Sequence, residues 1–519
     1  MSGNRISRRE FAGLTTVGVA GGVCALSSSL SAGDVGEEWN PRRPPIVTGK
    51  PLVVQPVLMH TIYKRRAATS WRSWSGINTH EAASEEMGRI SKELDLLREK
   101  AEFPLKLLPL VKVASVEEAR KVHDHEYDVV LMYPATGSGT LLKACFAAKP
   151  DKDTLIFVRH RSGPIYYWYE ALSTRYLKKQ SEHKPEDRSA DDHGGVSVRD
   201  VVVDDYQEVL WRLRALYGLK NFVGQRIVAL GGAQGKYDAR APEVARQKYK
   251  LEIVDVGYDD LVKRVKSAGA DAGLVSKAEK WTETYLSQPN TTLGTQKRFV
   301  VNAFLLFGIF KDWMREHRAP AFTIAGCMGR VLPIAETTPC LPLSWLNDEG
   351  RLAFCESDFV VIPSGILLHY IAGRPVFLHN STFPHKGVVT CAHCTAPRRM
   401  DGKKYEPAKI LTHYESDFGA APKVEMTVGQ EVSFIDPEYS TGRWVLFKGI
   451  IKRNPFYEIC RSQQDVEIKG DWKKLLDEAR DSHWMMAYGD HLREIGYASR
   501  KIGIDWVNLS EKENTNESS

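Results

Sequence analysis

Short apolar segments alternate with amphipathic helical patterns over the first two thirds of the chain, and this alternation restricts the fold more than any other feature. Apolar runs such as LVVQPVLM (52–59) and YDVVLMYP (127–134) are separated by helical patterns such as THEAASEEMGRISKELDLLREKA (79–101). Strands that alternate with helices in this way form parallel sheets with helices on both faces. A second set of such units begins at QRIVALGG (225–232). The pattern predicts an α/β fold with two doubly wound, Rossmann-like domains.

The last third of the chain follows a different pattern, which predicts a mixed α+β domain with a β-barrel-like part. Strand signals run through KILTHYE (409–415), KVEMTVGQEVSFID (423–436), RWVLFKGIIK (443–452) and VEIKG (466–470). The final long segment, residues 471–504, is predicted to be helical throughout.

The first residues have the features of an export signal. Twin arginines, Arg8 and Arg9, precede the apolar run FAGLTTVGVAGGVCAL (11–26) and a stretch of small residues that ends at Ala32. Such a sequence predicts a twin-arginine signal peptide cleaved near Ala32, and the run is too short to span a bilayer. We expect export to the periplasm or the exterior, with no membrane association after the signal is removed. If the signal is not used, the protein is cytoplasmic.

Length and composition set the predicted organisation. A chain of 519 residues predicts about three domains at roughly 150 residues each. The proline-rich stretch before residue 51 is interpreted as a linker. The predicted segments are the signal (1–32), the linker (33–50), two α/β domains (51–220 and 221–335), a carboxyl-terminal domain (336–510) and a disordered tail (511–519).

Charge and cysteine content exclude some classes of protein. The 71 basic and 65 acidic residues are interspersed, so the chain lacks the concentrated basic surface of a nucleic-acid-binding protein. The basic, aromatic stretch YKRRAATSWRSW (63–74) is interpreted as a solvated loop. Seven cysteines remain after Cys24 is removed with the signal, and their wide spacing predicts free thiols.

Two short motifs suggest ligands but are incomplete. GGAQGK (231–236) follows a predicted strand, yet it lacks the spacing of a phosphate-binding or dinucleotide-binding loop, and we interpret it as an ordinary strand-to-helix turn. CAHC (391–394) contains potential zinc ligands. A structural zinc site requires a second pair of ligands at short spacing, which the sequence does not provide.

Acidic residues and histidines provide better candidates for a metal site. Glu336, Glu356 and Asp358 flank a predicted turn, and His393 and His483 follow downstream. Carboxylates and imidazoles together suit a divalent cation such as manganese, with open positions for substrate oxygens. Each residue also has a structural interpretation. The acids can cap a helix, and each histidine can be a satisfied core residue or pack within an amphipathic helix.

Four segments that occur in a fixed order resemble the carboxyl-terminal half of the L-fucose and L-arabinose isomerase family. They are CLPLSWLNDEGRLAFCESDFVVIPSGILLHYIAGRPVF (340–377), CAHCTAP (391–397), FYEICRSQQDVEI (456–468) and DSHWMMAYGDHLREIGYASRKIGIDWV (481–507). The two upstream α/β regions fit the family's amino-terminal domains in length and pattern.

The resemblance implies a manganese-dependent aldose–ketose isomerase with two acidic metal ligands that also transfer protons. Asp358, with Glu356 beside it, resembles the second acidic ligand, and Glu336 lies where the first is expected. His483 resembles the family's histidine ligand in the last helical region, and His393 resembles a histidine found in part of the family. Glu336 and Asp358 are therefore the candidate catalytic residues, and all five are candidate ligands of Mn²⁺ or another divalent cation.

The predicted function is the interconversion of an aldose and a ketose of fucose or arabinose type through an enediol. The substrate is a small sugar, and the resemblance implies a homo-oligomer. One alternative is an exported carbohydrate-binding relative without isomerase activity. Another is a zinc hydrolase built on CAHC.

Overall fold

The structure, a computed structural model, describes residues 39–74, 76–149, 151–166, 196–438 and 442–510. These residues divide into two compact units. The first contains Gly49–Lys220 and Lys501–Gly503, and the second contains Asn221–Arg500 with residues 39–48 and 504–510. The predicted signal (1–32) and the predicted disordered tail (511–519) lie outside the described residues. Within the described ranges, no helix is long and apolar enough to cross a bilayer.

The first unit is built on a parallel sheet. Its strands are β1 (Leu52–Met59), β2 (Leu105–Leu107), β3 (Val111–Val113), β4 (Val129–Pro134), β5 (Asp153–Val158) and β6 (Val201–Val203). They pair in the order β2-β1-β4-β5-β6, and β3 also pairs with β1. Strands β4 and β5 are buried along their whole length, which explains the apolar runs VVLMYP of β4 and LIFV of β5.

Helices connect these strands. They are α1 (His80–Lys100), α2 (Val116–Val122), α3 (Gly139–Cys145) and α4 (Tyr206–Phe222). Helix α1 follows the predicted pattern: the Thr79 hydroxyl accepts a hydrogen bond from the backbone N–H of Ala82, and Ile90, Leu94 and Leu97 are buried. The side-chain cap satisfies one of the free N–H groups at the helix start. The division between the units falls within α4, at Lys220.

The second unit contains the remaining elements. Its strands are β7 (Arg226–Leu230), β8 (Glu252–Val256), β9 (Thr291–Leu293), β10 (Ala321–Ile324), β11 (Leu352–Phe354), β12 (Phe377–Ser381), β13 (Val388–His393), β14 (Ala408–Leu411), β15 (Ala421–Val424), β16 (Glu431–Pro437), β17 (Arg443–Arg453), β18 (Ser462–Lys469), β19 (His483–Tyr488) and β20 (Asp505–Asn508). Its helices are α5 (Ala241–Lys248), α6 (Tyr258–Ala270), α7 (Ala272–Leu286), α8 (Lys297–Glu316), α9 (Leu332–Ala335), α10 (Cys340–Asp348), α11 (Ile362–Ala372), α12 (Trp472–Glu478) and α13 (Leu492–Lys501), whose last residue belongs to the first unit.

A second parallel sheet begins this unit, in the order β11-β10-β7-β8. Strand β11 lies beyond residue 336, where the sequence places the start of the carboxyl-terminal domain. Residues 221–335 and 336–500 therefore share both a sheet and a compact unit. A separate small sheet joins β9, β14 and β15.

Six antiparallel strands close into a barrel, which confirms the predicted barrel-like part. The order is β16-β19-β12-β13-β18-β17, and β17 pairs again with β16, which completes the circle. Strand β20 adds to β17 in parallel. The aromatic rings of Phe434, Phe447 and Trp484 pack against one another in the core. The predicted strand signals at 409–415, 423–436, 443–452 and 466–470 all correspond to strands.

The prediction of a continuous helical segment over residues 471–504 is wrong. The structure has α12, then strand β19, then α13 over this range. Strand β19 is buried at every position because it lies in a closed barrel that is covered on its outer face, where Gly365 of α11 lies close to Met485. An apolar run buried on both faces lacks the alternation that distinguishes a strand from a helix.

The predicted linker also contributes to the core. Trp39 is buried, and its ring contacts Tyr285, Phe304 and Trp345 of the second unit. The backbone N–H of Ile46 donates to the carbonyl of Glu349. The described part of residues 33–50 is therefore packed against the second unit.

Candidate metal centre

Strand register brings two of the predicted histidines together. His393 ends β13 and His483 begins β19, and these strands lie on either side of β12. Asn380 of β12 is in register with His483 on one side and with Ala392 on the other. Both histidines lie at ends of their strands, and their imidazole rings have centroids 6.2 Å apart. The placement comes from β-sheet pairing, which is rigid.

Glu356 completes a three-residue cluster. Its Oε1 lies 3.5 Å from His393 Nε2, and its Oε2 lies 3.5 Å from His483 Nε2. One ligand atom from each residue lies within 4.8 Å of the others, a spacing at which a single cation can contact all three. His393 Nε2 is buried and has no hydrogen-bond partner at normal geometry. A buried polar atom without a partner is costly, and a bound cation would satisfy it.

Asp358 orients one of the imidazoles. Its Oδ2 lies 2.7 Å from His483 Nδ1. Because a carboxylate only accepts hydrogen bonds, Nδ1 carries the proton and Nε2 presents its lone pair to the cluster. A carboxylate behind a ligating histidine is the usual way in which proteins fix the tautomer and orientation of that ligand. Thr395 makes a similar contact with His393, with its Oγ1 3.1 Å from Nδ1.

The other oxygen of Asp358 holds two chain segments in place. Oδ1 accepts from the backbone N–H groups of Lys236 and Val360, at 3.0 and 3.1 Å. A β-bridge between Gln234 and Asp358 connects the same segments. Both oxygens of Asp358 are therefore directed at protein donors, and its carboxylate lies behind the ligands of the cluster.

The backbone at Glu356 is in an unusual conformation. Glu356 and Ser357 have φ angles of 63° and 51°, in the left-handed region that residues with a Cβ rarely adopt. Ser357 is held there by a hydrogen bond from its hydroxyl to the carbonyl of Gly232, at 2.7 Å. Strained residues of this kind cost roughly 1–3 kcal/mol each and cluster at functional sites. Here the conformation directs the Glu356 side chain at the histidines.

The electrostatic environment keeps Glu356 ionised. Partial burial alone would raise its pKa, but contact with His393 and electrostatic interactions with His393, His483 and Lys236 outweigh burial and lower the pKa well below its usual range. The carboxylate is about one third exposed, at 35%. It can therefore accept a proton or bind a cation from the open side.

Of the five residues predicted to bind metal, the structure brings three together. Glu336 is exposed at the end of α9, and its backbone carbonyl accepts from the side chain of Asn302. It is not part of any group of potential ligands among the described residues. Asp358 orients His483 from behind, so the cluster consists of Glu356, His393 and His483.

Sequence reasoning missed Lys236, which belongs to the loop interpreted as an ordinary turn. Its Nζ lies 3.1 Å from His483 Nε2 and 3.3 Å from Glu356 Oε2. The signal available was the position of GGAQGK at the carboxyl end of β7, where parallel sheets receive ligands. Nothing in the sequence connected the loop with residues more than a hundred positions away.

The cysteines of CAHC do not join the cluster. Cys391 lies in the hydrophobic core, and Cys394 packs against Cys340 and Cys460. Burial raises the pKa of the Cys391 thiol well above its usual value. Only His393 of this motif is a potential ligand in the described cluster.

The donor set determines which ions fit. One carboxylate and two imidazoles form a borderline set that suits divalent transition metals such as Mn²⁺, Fe²⁺, Co²⁺ and Zn²⁺, with positions left open for substrate oxygens. In sequence comparisons, no protein-family model and no curated protein matches the chain.

Proposed function

We propose that the protein is a metal-dependent sugar isomerase that interconverts an aldose and a ketose of fucose or arabinose type. The observation that carries the proposal is the convergence of Glu356, His393 and His483 with Asp358 oriented behind His483. Mn²⁺ is the proposed cation, in keeping with the resemblance, and the donor set accommodates it. A bound cation would supply a Lewis acid that polarises the sugar carbonyl and holds two adjacent oxygens.

The residues of the chain would bind the cation and move the proton. Isomerisation requires that one proton pass between adjacent carbons of the sugar and that a hydroxyl proton pass between the two oxygens they bear. Glu356 is ionised and partly exposed, so it can take the proton from one carbon and return it to the next. His393 and His483 are buried, and their rings are held by Thr395 and Asp358, so they serve as rigid ligands.

The proposal also covers the organisation implied by the resemblance. It includes an α/β domain over residues 51–220; the signal sequence adds export by the twin-arginine pathway, and the resemblance adds assembly of several subunits. Size-exclusion chromatography with light scattering and fractionation of the native host test the last two.

A second candidate function is carbohydrate binding without isomerisation. The cluster contains a single carboxylate, and Glu336, the expected partner in proton transfer, lies outside it. An enzyme that has lost one of two proton-transfer groups can still bind its sugar through the metal. Bound metal with sugar affinity but no ketose production favours this candidate.

Paired glutamate variants test the proposal. Glu356→Gln should reduce turnover by about a hundredfold or more, because it removes the proton acceptor and a charged ligand. It should also reduce bound Mn²⁺, as measured by elemental analysis. Ketose formation is assayed across pentoses and 6-deoxyhexoses with added Mn²⁺.

Glu336→Gln is the matched control, and it should leave both metal content and turnover close to those of the unaltered chain. Full turnover in Glu356→Gln would contradict the proposal. Loss of metal in Glu336→Gln, with metal retained in Glu356→Gln, would mean that the metal ion binds at other residues.

A further inference from the structure

Lys236 occupies the point at which a cation would bind. Its Nζ donates to His483 Nε2 at 3.1 Å and lies 3.3 Å from Glu356 Oε2. These atoms belong to two of the three residues that converge in the cluster. An ammonium group in this position neutralises the same charge that a metal ion would neutralise.

The lone pair of His483 allows one partner at a time. Its Nδ1 proton is committed to Asp358, so Nε2 has a single lone pair in the plane of the ring. The Lys236 ammonium uses that lone pair as a hydrogen-bond acceptor. A metal ion needs the same lone pair for a bond of about 2.1 Å. The hydrogen bond and the metal bond therefore exclude each other.

The backbone of Lys236 is fixed beside the site. Its N–H donates to Asp358 Oδ1, while Asp358 Oδ2 accepts from His483, so one carboxylate positions both the ligand and the lysine. The backbone of the loop is closely packed at two glycines. A Cβ on Gly231 would lie 2.1 Å from the Tyr258 hydroxyl, and one on Gly235 would lie 2.0 Å from the Asp238 carbonyl, so the backbone has little room to move. The side chain can move because it is about one third exposed, at 32%.

We propose that Lys236 is an internal competitor for the divalent cation, holding the cluster in its metal-free form and withdrawing when a metal ion binds. The inference rests on the metal-binding part of the proposed function and adds its regulation. It assigns to Lys236 a role in setting metal affinity. A purely structural ion pair is the competing interpretation, and it predicts that loss of Lys236 leaves metal affinity unchanged or weakens it.

Metal titration of variants tests the proposal. The full chain is stripped with a chelator and titrated with Mn²⁺ by calorimetry. Lys236→Met keeps the length of the side chain and removes the charge, and it should bind Mn²⁺ at least tenfold more tightly than the unaltered chain. Lys452→Met is the matched control, because Lys452 forms an ion pair with Glu467 on the exposed side of β17 and β18. Its affinity should not change.

A second measurement uses the unaltered chain and does not depend on the folding of a variant. Lysine acylation is followed by mass spectrometry with and without saturating Mn²⁺. Labelling of Lys236, normalised to Lys452, should increase several-fold when the metal displaces its ammonium from His483 and Glu356. Unchanged or reduced labelling would contradict the proposal, as would equal or weaker Mn²⁺ affinity in Lys236→Met.

The outcomes separate this inference from the proposed function. Tighter metal binding in Lys236→Met without turnover on any sugar supports the competitor role and contradicts the isomerase. Turnover that depends on Glu356, together with unchanged affinity in Lys236→Met, supports the isomerase and contradicts the competitor role.

Discussion

Among the described residues, a cluster of buried charge in the first unit and one in the second unit are built in opposite ways. In the first unit, the guanidinium of Arg159 is fully buried and each of its nitrogens has an acceptor. Nε donates to Glu86 at 2.5 Å, and the two terminal nitrogens donate to Glu93 at 3.1 and 2.6 Å. The hydroxyl of Tyr166 donates to the same Glu86 oxygen. Every strong donor in this network is satisfied by the chain itself.

The cluster of Glu356, His393 and His483 is satisfied only in part, because Lys236 contacts His483 and Glu356 but the buried ring nitrogen of His393 has no partner. Its facing atoms lie 3.5 Å apart, beyond a good hydrogen bond, and His393 Nε2 is buried without a partner. This difference distinguishes a structural charge network from a ligand-binding site. A network in which every donor has an acceptor within the chain is typical of a structural role. Groups that converge and leave an atom without a partner have room for a ligand.

Removing Arg159 should have the largest effect on stability. Arg159→Met leaves the buried Glu86 with only the half-exposed Arg89 as a charge partner, and breaking a buried ion pair typically costs about 3–5 kcal/mol. The first unit should unfold at a much lower urea concentration, as followed by circular dichroism, while Mn²⁺ affinity is retained. The control is Arg98→Met, because Arg98 and Asp95 form an exposed pair whose loss should cost less than about 1 kcal/mol. If Arg159→Met and Arg98→Met were equally stable, the Arg159 network would not have the structural role that distinguishes it from the metal cluster.

Changing Asp358 should affect metal binding more than folding. Asp358→Asn weakens the hold on the His483 tautomer, and loss of such a partner typically reduces metal affinity by about 10- to 100-fold. Mn²⁺ calorimetry measures the effect, with Asp312→Asn, in an exposed pair with Arg315, as the control. Complete loss of binding would instead indicate that Asp358 is itself a ligand, as the sequence predicted.

A buried histidine outside the cluster gives a smaller, pH-dependent effect. Burial lowers the pKa of His369 in α11 to about 4, from a usual value of 6.5. Between these values the unfolded chain binds a proton that the folded chain does not. Stability should therefore be complete above pH 6.5 and fall by about 1.4 kcal/mol per pH unit as the pH decreases toward 4.

His369→Leu should reduce this slope by about 1.4 kcal/mol per pH unit in urea titrations, while His379, whose pKa is also lowered by burial, retains its own contribution. His385→Leu, at an exposed position, should retain the slope of the unaltered chain. An unchanged slope in His369→Leu would mean that this histidine is not held neutral by burial.

Local sequence predicted the strands and helices wherever their periodicity was clear. The parallel sheets and the barrel strands follow apolar runs and alternation, and α1 follows the helical pattern at 79–101. Residues 471–504 were misjudged because β19 is buried on both faces. Its sequence therefore lacks the alternation of apolar and polar residues that indicates a strand.

The site was predicted in its residue types but not in its arrangement. Glu356, His393 and His483 could be proposed because their chemistry suits a metal ion. The separate role of Asp358 and the presence of Lys236 depend on contacts between loops that are more than a hundred residues apart in sequence. Such long-range contacts leave no local pattern to read.

The central claim is that Glu356, His393 and His483 form a metal centre, and anomalous X-ray scattering from crystals soaked in Mn²⁺ tests it most directly. The account predicts one strong manganese peak within about 2.0–2.2 Å of a Glu356 oxygen and of Nε2 in both histidines. It also predicts that Lys236 Nζ has moved away from His483. A peak at Glu336 or at the thiols of Cys340, Cys394 and Cys460, with none at Glu356, would contradict the account.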